Sequence, residues 1–253
     1  MITPPATQTR LRLDQHLVET GHYDTRSRAR DAIARGAVSV DGRPVTKPGA
    51  PVAADATISI ADPAKAYVSR AALKLIAGLD AFGYDPSGRD CLDIGASTGG
   101  FTQVLLERGA RHVTAVDVGH GQMDPRISGD DRVSNREGLN ARDLAASDIG
   151  AREITAVVSD VSFISLKLAL PPALDLACAG AFAVLLVKPQ FEAGREAIGK
   201  GGLLKDPARG PEIADELAHW LDTQPGWRVT SLVPSPIEGG DGNREFLLGG
   251  VKA

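Results

Sequence analysis

The sequence predicts an α/β chain in two parts, a doubly wound Rossmann-like domain preceded by a small α+β domain. Three observations predict it. From residue 70 onward, near-continuous apolar segments alternate with amphipathic ones, the pattern of a parallel sheet covered by helices on both faces. The first of those apolar segments runs into a glycine-rich turn that opens a helix. Upstream, short helical and alternating patterns stop at a change of rhythm over residues 61–69. The expected division is therefore residues 1–62, a linker at 63–69, and residues 70–253.

In the first part, residues 11–20 read as an amphipathic helix with Leu13, Leu17 and Val18 inward and Gly21 as its stop. Residues 26–35 read as a second helix, closed by Gly36. Val38-Ser39-Val40 alternates as a strand, and Asp41-Gly42 is a hairpin turn signal. Pro44, Lys47-Pro48-Gly49 and Pro51 continue in turn chemistry before a last strand at 57–60. In the second part, strands are expected at 91–94, 113–118, 156–161, 182–187, 227–233 and 245–248. Helices are expected at 70–82, 101–108, 166–178 around Pro171-Pro172, and 212–222.

The 253 residues are 43% hydrophobic and 24% charged, which suffices for a buried core. The net charge of −4 gives no overall attraction to nucleic acid. Residues 1–63 hold 8 Lys+Arg against 7 Asp+Glu and the remainder 20 against 25, so affinity for a polyanion has to come from a local patch. Cys91 and Cys178 fall in separate expected core segments and read as buried reduced thiols. The histidines show no ligand spacing, and no metal site is expected. The first eight residues lack the order of a signal peptide, and the longest apolar run, 176–187, is too short to span a bilayer as a helix. These features point to a soluble cytoplasmic protein that does not engage a membrane.

The glycine-rich turn is Asp93-Ile94-Gly95-Ala96-Ser97-Thr98-Gly99-Gly100-Phe101. In a doubly wound sheet it lies at the carboxyl ends of the strands, where a nucleotide-like ligand sits. Asp117, ending the second strand with Val118 after it, can accept hydrogen bonds from both hydroxyls of a ribose. A dinucleotide fingerprint needs a central glycine to admit a pyrophosphate, and Ser97 stands in that place. S-adenosylmethionine carries an amino-acid end instead and tolerates the serine. The expected cofactor contacts are Asp93, Gly95, Ser97, Thr98, Gly99, Gly100, Phe101, Asp117 and Val118. Glycines alone fit a tight turn without a ligand; strand, turn, helix and Asp117 together outweigh that.

Four further ionisable residues stand at the ends of expected core elements: Lys74, Asp160, Lys188 and Glu245. Asp160 and Lys188 each follow an apolar strand, where a buried charge is costly unless paired. For any one of them an exposed strand end is the plainer reading. Their shared edge of the sheet, the edge that carries the glycine-rich turn, favours function.

These residues lie within runs that resemble a known family. Tyr67-Val68-Ser69-Arg70, Lys74-Leu75, the glycine-rich turn, Ala115-Val116-Asp117-Val118-Gly119, Asp160-Val161-Ser162-Phe163-Ile164-Ser165-Leu166, Val187-Lys188-Pro189-Gln190-Phe191-Glu192 and Gly242-Asn243-Arg244-Glu245 resemble the TlyA family. Those proteins are ribosomal RNA cytidine 2′-O-methyltransferases, often labelled haemolysins, with a catalytic domain similar to FtsJ/RrmJ. The resemblance covers nearly the whole chain. It implies S-adenosylmethionine as cofactor, ribosomal RNA or a ribosomal subunit as partner, and a Lys-Asp-Lys-Glu catalytic tetrad on Lys74, Asp160, Lys188 and Glu245. Family members act on 23S rRNA and some also on 16S rRNA. Those that act on both tend to carry extra residues at their ends; little follows Glu245, which points to the large subunit. The chain departs from the family in Ala71-Ala72, where glycine is usual, and in His120, where an aromatic is usual.

The chemistry is methyl transfer from a sulfonium to a weakly acidic ribose hydroxyl. It requires alignment and stabilisation of charge developing on oxygen. A lysine acting as free base must give up a proton it ordinarily holds to pH ~10.4, at about 4 kcal/mol near neutrality. Lys188 is therefore expected to steer and polarise the hydroxyl, with Lys74, Asp160 and Glu245 fixing it in place.

The first domain resembles the S4-type (alpha-L) RNA-binding module in Arg12-Leu13-Asp14, Thr25-Arg26-Ser27-Arg28-Ala29, Gly36-Ala37-Val38-Ser39-Val40-Asp41-Gly42 and Val45-Thr46-Lys47-Pro48-Gly49. Arg12, Arg26 and Lys47, with Arg70 of the second domain, are the expected RNA contacts; bonds to phosphate position RNA without reading its sequence. On helical spacing Arg26 and Arg30 share a face with Arg28 and Arg35 roughly opposite, which fits a solvated charged helix equally well. The sequence shows no aromatic stacking platform, which favours recognition of folded RNA by shape. Three other readings are weaker. A membrane-active haemolysin lacks a spanning segment, a dehydrogenase lacks its central glycine, and a non-catalytic RNA-binding protein has no reason to keep all four tetrad residues.

Overall fold

The structure is a computed structural model that describes residues 10–240 and 242–253. It forms two compact units that divide between Lys65 and Ala66. In the first, β1 (Arg10–Arg12) leads into α1 (Leu13–Glu19). α2 (Arg26–Ala34) follows, capped by the Thr25 hydroxyl, which accepts from the Arg28 N–H. β2 (Val38–Val40), β3 (Arg43–Pro44), β4 (Pro51–Ala53) and β5 (Ile58–Ile60) complete the unit. β3, β2 and β5 form one antiparallel sheet and β1 pairs with β4. Leu13, Leu17, Tyr23, Ala29, Ile33 and Val38 close its core.

Two expectations fail here for one reason. Residues 11–12 are strand rather than helix, because Leu11 pairs with Val52 from a segment distant in sequence that local periodicity does not see. Pro51 lies in β4 rather than a turn. β4 has one neighbour only, so the N–H that proline lacks can face away from the ladder.

The second unit runs through α3 (Ala72–Phe82), β6 (Asp90–Ile94), α4 (Gly100–Glu107), β7 (His112–Asp117), α5 (Pro125–Ser128), β8 (Val133–Glu137) and α6 (Ala146–Ile149). It continues with β9 (Ile154–Ser159), α7 (Leu166–Ala169), α8 (Pro171–Leu176), β10 (Ala177–Val187), α9 (Pro189–Glu192), α10 (Arg209–Asp222), β11 (Trp227–Pro234) and β12 (Phe246–Lys252). Among the described residues the strands form one sheet in the order β11-β12-β10-β9-β6-β7-β8. From β10 to β8 all neighbours are parallel, whereas β12 is antiparallel to both β10 and β11. The sheet is thus mixed where a parallel one was expected. The segment between β11 and β12 is too short for the crossover that parallel neighbours need. β8 was not foreseen: Val133-Ser134-Asn135-Arg136-Glu137 is mostly polar and pairs only with β7, as a sheet edge permits. Residues 177–178, expected in a helix, open β10. Cys178 there is half-buried rather than core, while Cys91 is buried; both thiols are free.

Each central strand serves both faces of the sheet. In β10, Ala183, Leu185 and Val187 join the core under α7, α8 and α10, while Phe182, Val184 and Leu186 join the core under α3 and α4. Ile94, Val116, Val157 and Phe246 also belong to the first core. The period of two then sends Asp93, Asp117, Asp160, Lys188 and Glu245 to the opposite face, the one that carries α3 and α4. Among the described residues no helix is long and apolar enough to cross a membrane, and no His/Cys/Asp/Glu group could hold a metal ion.

Candidate active site

Strand register gathers the tetrad. Ser159 pairs with Leu185 and with Ile94, and the Asp160 N–H donates to the Ile94 carbonyl at 3.0 Å. Val187 pairs with Phe246, so Lys188 and Glu245 occupy the next rung of the same ladder. α3 lies across this edge and supplies Lys74, whose Nζ donates to Glu245 Oε2 with both side chains almost wholly buried. Lys188 Nζ stands 2.6 Å from Asp160 Oδ1, an ion contact set off the hydrogen-bond axis, and donates to Ser162 Oγ at 2.8 Å. The four residues predicted as a tetrad therefore meet as two ion pairs on one face of the sheet.

The glycine-rich turn lies against them. Gly95 has φ +82°, and a Cβ there would meet the Val161 nitrogen at 2.9 Å and the Asp160 carbonyl at 3.0 Å, so only glycine lets the turn approach the edge that carries Asp160. Ser97 adopts φ +47°, a left-handed conformation costly for a residue with a Cβ and typical of functional turns. Asp117 stitches the turn to the next loop: Oδ2 accepts from Ser97 N at 2.8 Å and Oδ1 from Gly119 N at 2.7 Å. Each oxygen keeps a second lone pair for a further donor. Val118 beside it is exposed. Glu137 at the end of β8 accepts from the backbone of Gly121, Gln122 and Met123, which holds its carboxyl at about 2.

Asp93 is wholly buried. Its Oδ2 accepts from Thr102 Oγ1 at 2.7 Å, and Oδ1 has no hydrogen-bond partner among the described residues. Burial pushes the carboxyl up to about 7; the Thr102 hydrogen bond opposes this, and the charge of Asp160 adds to it. The folded protein then holds a proton that the unfolded chain releases near pH 4. Stability from this group is greatest below pH ~4, falls as pH rises to 7, and levels off above, by up to roughly 4 kcal/mol. Asp93→Asn is expected to remove that slope. Urea unfolding of both proteins between pH 4 and 8 checks it, and identical pH dependences would refute it.

An aromatic pair, one ring exposed and the other half-buried, stands in the second unit, outside the first domain for which no stacking platform was expected. Phe163 is 90% exposed, in a left-handed turn at φ +64°, and its ring centre lies 5.0 Å from that of Phe191. Below it, Ser165 Oγ and Leu166 N donate to Glu192. Asn243 in turn fastens the 202–204 loop to the start of β12, through bonds to Leu204 N and Gly202 O. Ser162, Phe163, Glu137, Glu192 and Asn243 were not singled out from sequence. Their partners lie on other elements, and no spacing rule reports them.

In the first unit, Arg12 and Arg26 converge on the buried Asp14, at 3.0 and 2.7 Å. Burial raises the Asp14 carboxyl, but the two guanidinium groups outweigh it and hold the group at about 2. Arg12 lies over Gly49, where a Cβ would stand 3.0 Å from its Nη1, and Lys47 on the same loop is exposed. Arg35, by contrast, is nearly buried between Asp31 and Asp62 and is structural. Arg70 is half-buried at the start of the second unit, near Gly240.

Comparison with known proteins gives this arrangement its context. Residues 67–252 match the FtsJ-like methyltransferase family and residues 11–58 match the S4 domain. The chain belongs to the FtsJ-like methyltransferase family. Over 243 residues this methyltransferase is 43% identical to the 16S/23S rRNA (cytidine-2′-O)-methyltransferase TlyA of Mycobacterium tuberculosis, covering 94% of the chain and 89% of the relative. It is 38% identical to Hemolysin A of Brachyspira hyodysenteriae, covering 94% and 98%. A solved structure described as a hemolysin from Streptococcus thermophilus shares 36% identity and a TM-score of 0.74 over 98% of this chain and 90% of that one.

Proposed function

We propose that this methyltransferase transfers a methyl group from S-adenosylmethionine to the ribose 2′-oxygen of a cytidine in ribosomal RNA, 23S rRNA first and 16S rRNA as the further substrate. The observation that carries the reading is the pair of ion contacts, Lys188–Asp160 and Lys74–Glu245, on the face and edge of the sheet that hold the glycine-rich turn. The names of the relatives supply the cytidine and the ribosomal RNA.

The residues present fit the cofactor. The orphaned, buried Asp93 Oδ1 asks for a hydrogen-bond donor, and Asp117 has lone pairs for ribose hydroxyls beside exposed Val118. Gly95, Ser97, Thr98, Gly99, Gly100 and Phe101 form the close backbone around it. S-adenosylmethionine, when bound, supplies a methyl group on a positively charged sulfur. Lys188, held by the charge of Asp160 and donating one N–H to Ser162, presents another to the 2′-oxygen and stabilises the charge that grows there. Lys74 and Glu245 neutralise each other in the wall behind. Phe163, with Phe191, offers a face for the base of the target nucleotide. Arg12, Arg26, Lys47 and Arg70 hold phosphates; Asp14 fixes the first two in place, so little side-chain entropy is lost on binding.

The site of action is then the cytoplasm, where ribosomal RNA resides. Mapping 2′-O-methylation on rRNA from cells with and without the gene tests the proposal. Loss of one or more 2′-O-methylcytidines is expected; an unchanged map would overturn it. Leakage from liposomes exposed to the purified protein, with that unchanged map, would turn the reading towards the activity named in the Brachyspira relative.

A further inference from the structure

We infer that Ser162 is a positioning residue for Lys188, and that its hydroxyl, together with the Asp160 carboxylate, sets where the lysine's remaining N–H points. The inference rests on the role proposed for Lys188 above. An ammonium on a four-carbon stem has three donors and rotates freely about its last bond, so an attraction between charges alone does not orient it, whereas a directed hydrogen bond does. Asp160 Oδ1 at 2.6 Å takes the charge, and Ser162 Oγ at 2.8 Å is a second anchor in a different direction. The ion contact holds the ammonium in place, and the hydrogen bond to Ser162 fixes its rotation and with it the directions of the other N–H groups.

The hydroxyl is the suitable second anchor. Another carboxylate would bring a negative charge beside an oxygen that has to develop one, whereas a neutral oxygen orients the ammonium without that penalty. Nor is the lysine a loose surface group. Lys188 is 8% exposed, and the segment carrying Ser162 is braced to the segment carrying Lys188 at two further points. The Phe163 and Phe191 rings meet at 5.0 Å, and Glu192 accepts from both Ser165 and Leu166. Phe163 sits in the left-handed region directly after Ser162, an unfavourable conformation that other contacts must offset. The turn after β9 and the turn after β10 are therefore fastened together at three places, one of them the Ser162–Lys188 hydrogen bond.

The test compares full-length wild type, Ser162→Ala and Ser162→Thr in steady-state methylation of rRNA with S-adenosylmethionine, alongside calorimetric binding of S-adenosylhomocysteine. Ser162 is exposed, so neither change threatens folding. Loss of one hydrogen bond to a charged group is expected to lower kcat about tenfold in Ser162→Ala. KM for both substrates and the affinity for S-adenosylhomocysteine are expected to stay within about twofold, and threonine to restore most of kcat. An alanine variant as fast as wild type overturns the inference alone, as does a defect confined to KM or one that threonine leaves unrepaired. A wild type that forms no 2′-O-methyl product overturns the inference together with the function on which it rests.

Discussion

Replacing Lys188 with methionine is expected to slow methyl transfer by about 100- to 1,000-fold, the range seen when one donor to a developing oxyanion is removed. Methionine keeps most of the stem and its packing against the strand end, and deletes the ammonium alone. The partner left behind, Asp160, has a buried Oδ1, so some loss of stability is expected, and urea unfolding of the variant separates it from the loss of rate. Affinity for S-adenosylhomocysteine should change little, because Asp117 and the glycine-rich turn, not Lys188, are the proposed cradle. Lys188→Arg is expected to be nearly as slow. The guanidinium keeps the charge but cannot reproduce the two contacts at 2.6 and 2.8 Å with a third donor at a tetrahedral angle. Single-turnover methylation at saturating cofactor measures both; a Lys188→Met enzyme within a few-fold of wild type would remove Lys188 from the mechanism.

The second large effect concerns stability. Lys74 and Glu245 are 5% and 4% exposed and bonded to each other. Breaking a buried pair from one side strands the other charge, at a cost of about 3–5 kcal/mol. Glu245→Leu and Lys74→Met are each expected to lose that much in urea unfolding. The double variant, with no charge left to bury, is expected to return to within about 1 kcal/mol of wild type, or above it. Its methylation activity should stay low, since a buried pair of this kind contributes to the field of the site and not to the stability of the fold. Losses that simply add in the double variant would show that packing, rather than stranded charge, sets the cost.

Much of this site was legible in the chain. Asp160 and Lys188 were marked because a charge directly after an apolar strand is costly without a partner, Lys74 and Glu245 by their place at the same edge, and the four as a set by the family resemblance; in the structure they meet as two ion pairs. Asp117 and the turn from Asp93 to Phe101 were marked by strand, glycine and helix in succession. Ser162 and Glu192 were not marked. A serine or glutamate near a strand end carries no local signal; its meaning comes from a lysine or a backbone N–H on another segment. Phe163 passed unnoticed because an isolated phenylalanine normally reads as core, and only the left-handed turn at φ +64° puts it in solvent.

From residue order alone came the division into two parts, most of the strands and helices and the chemical identity of the charged groups. Local hydrophobic period and turn chemistry act over a few neighbouring residues, and that is the range in which a chain can be read without its fold. The reversed direction of β12, the polar edge strand β8 and the pairing of Arg10–Arg12 with Pro51–Ala53 were settled by contacts between distant segments. So was the geometry of the site. Which acid meets which lysine depends on sheet register, because a shift of one residue would turn Asp160, Lys188 or Glu245 to the other face.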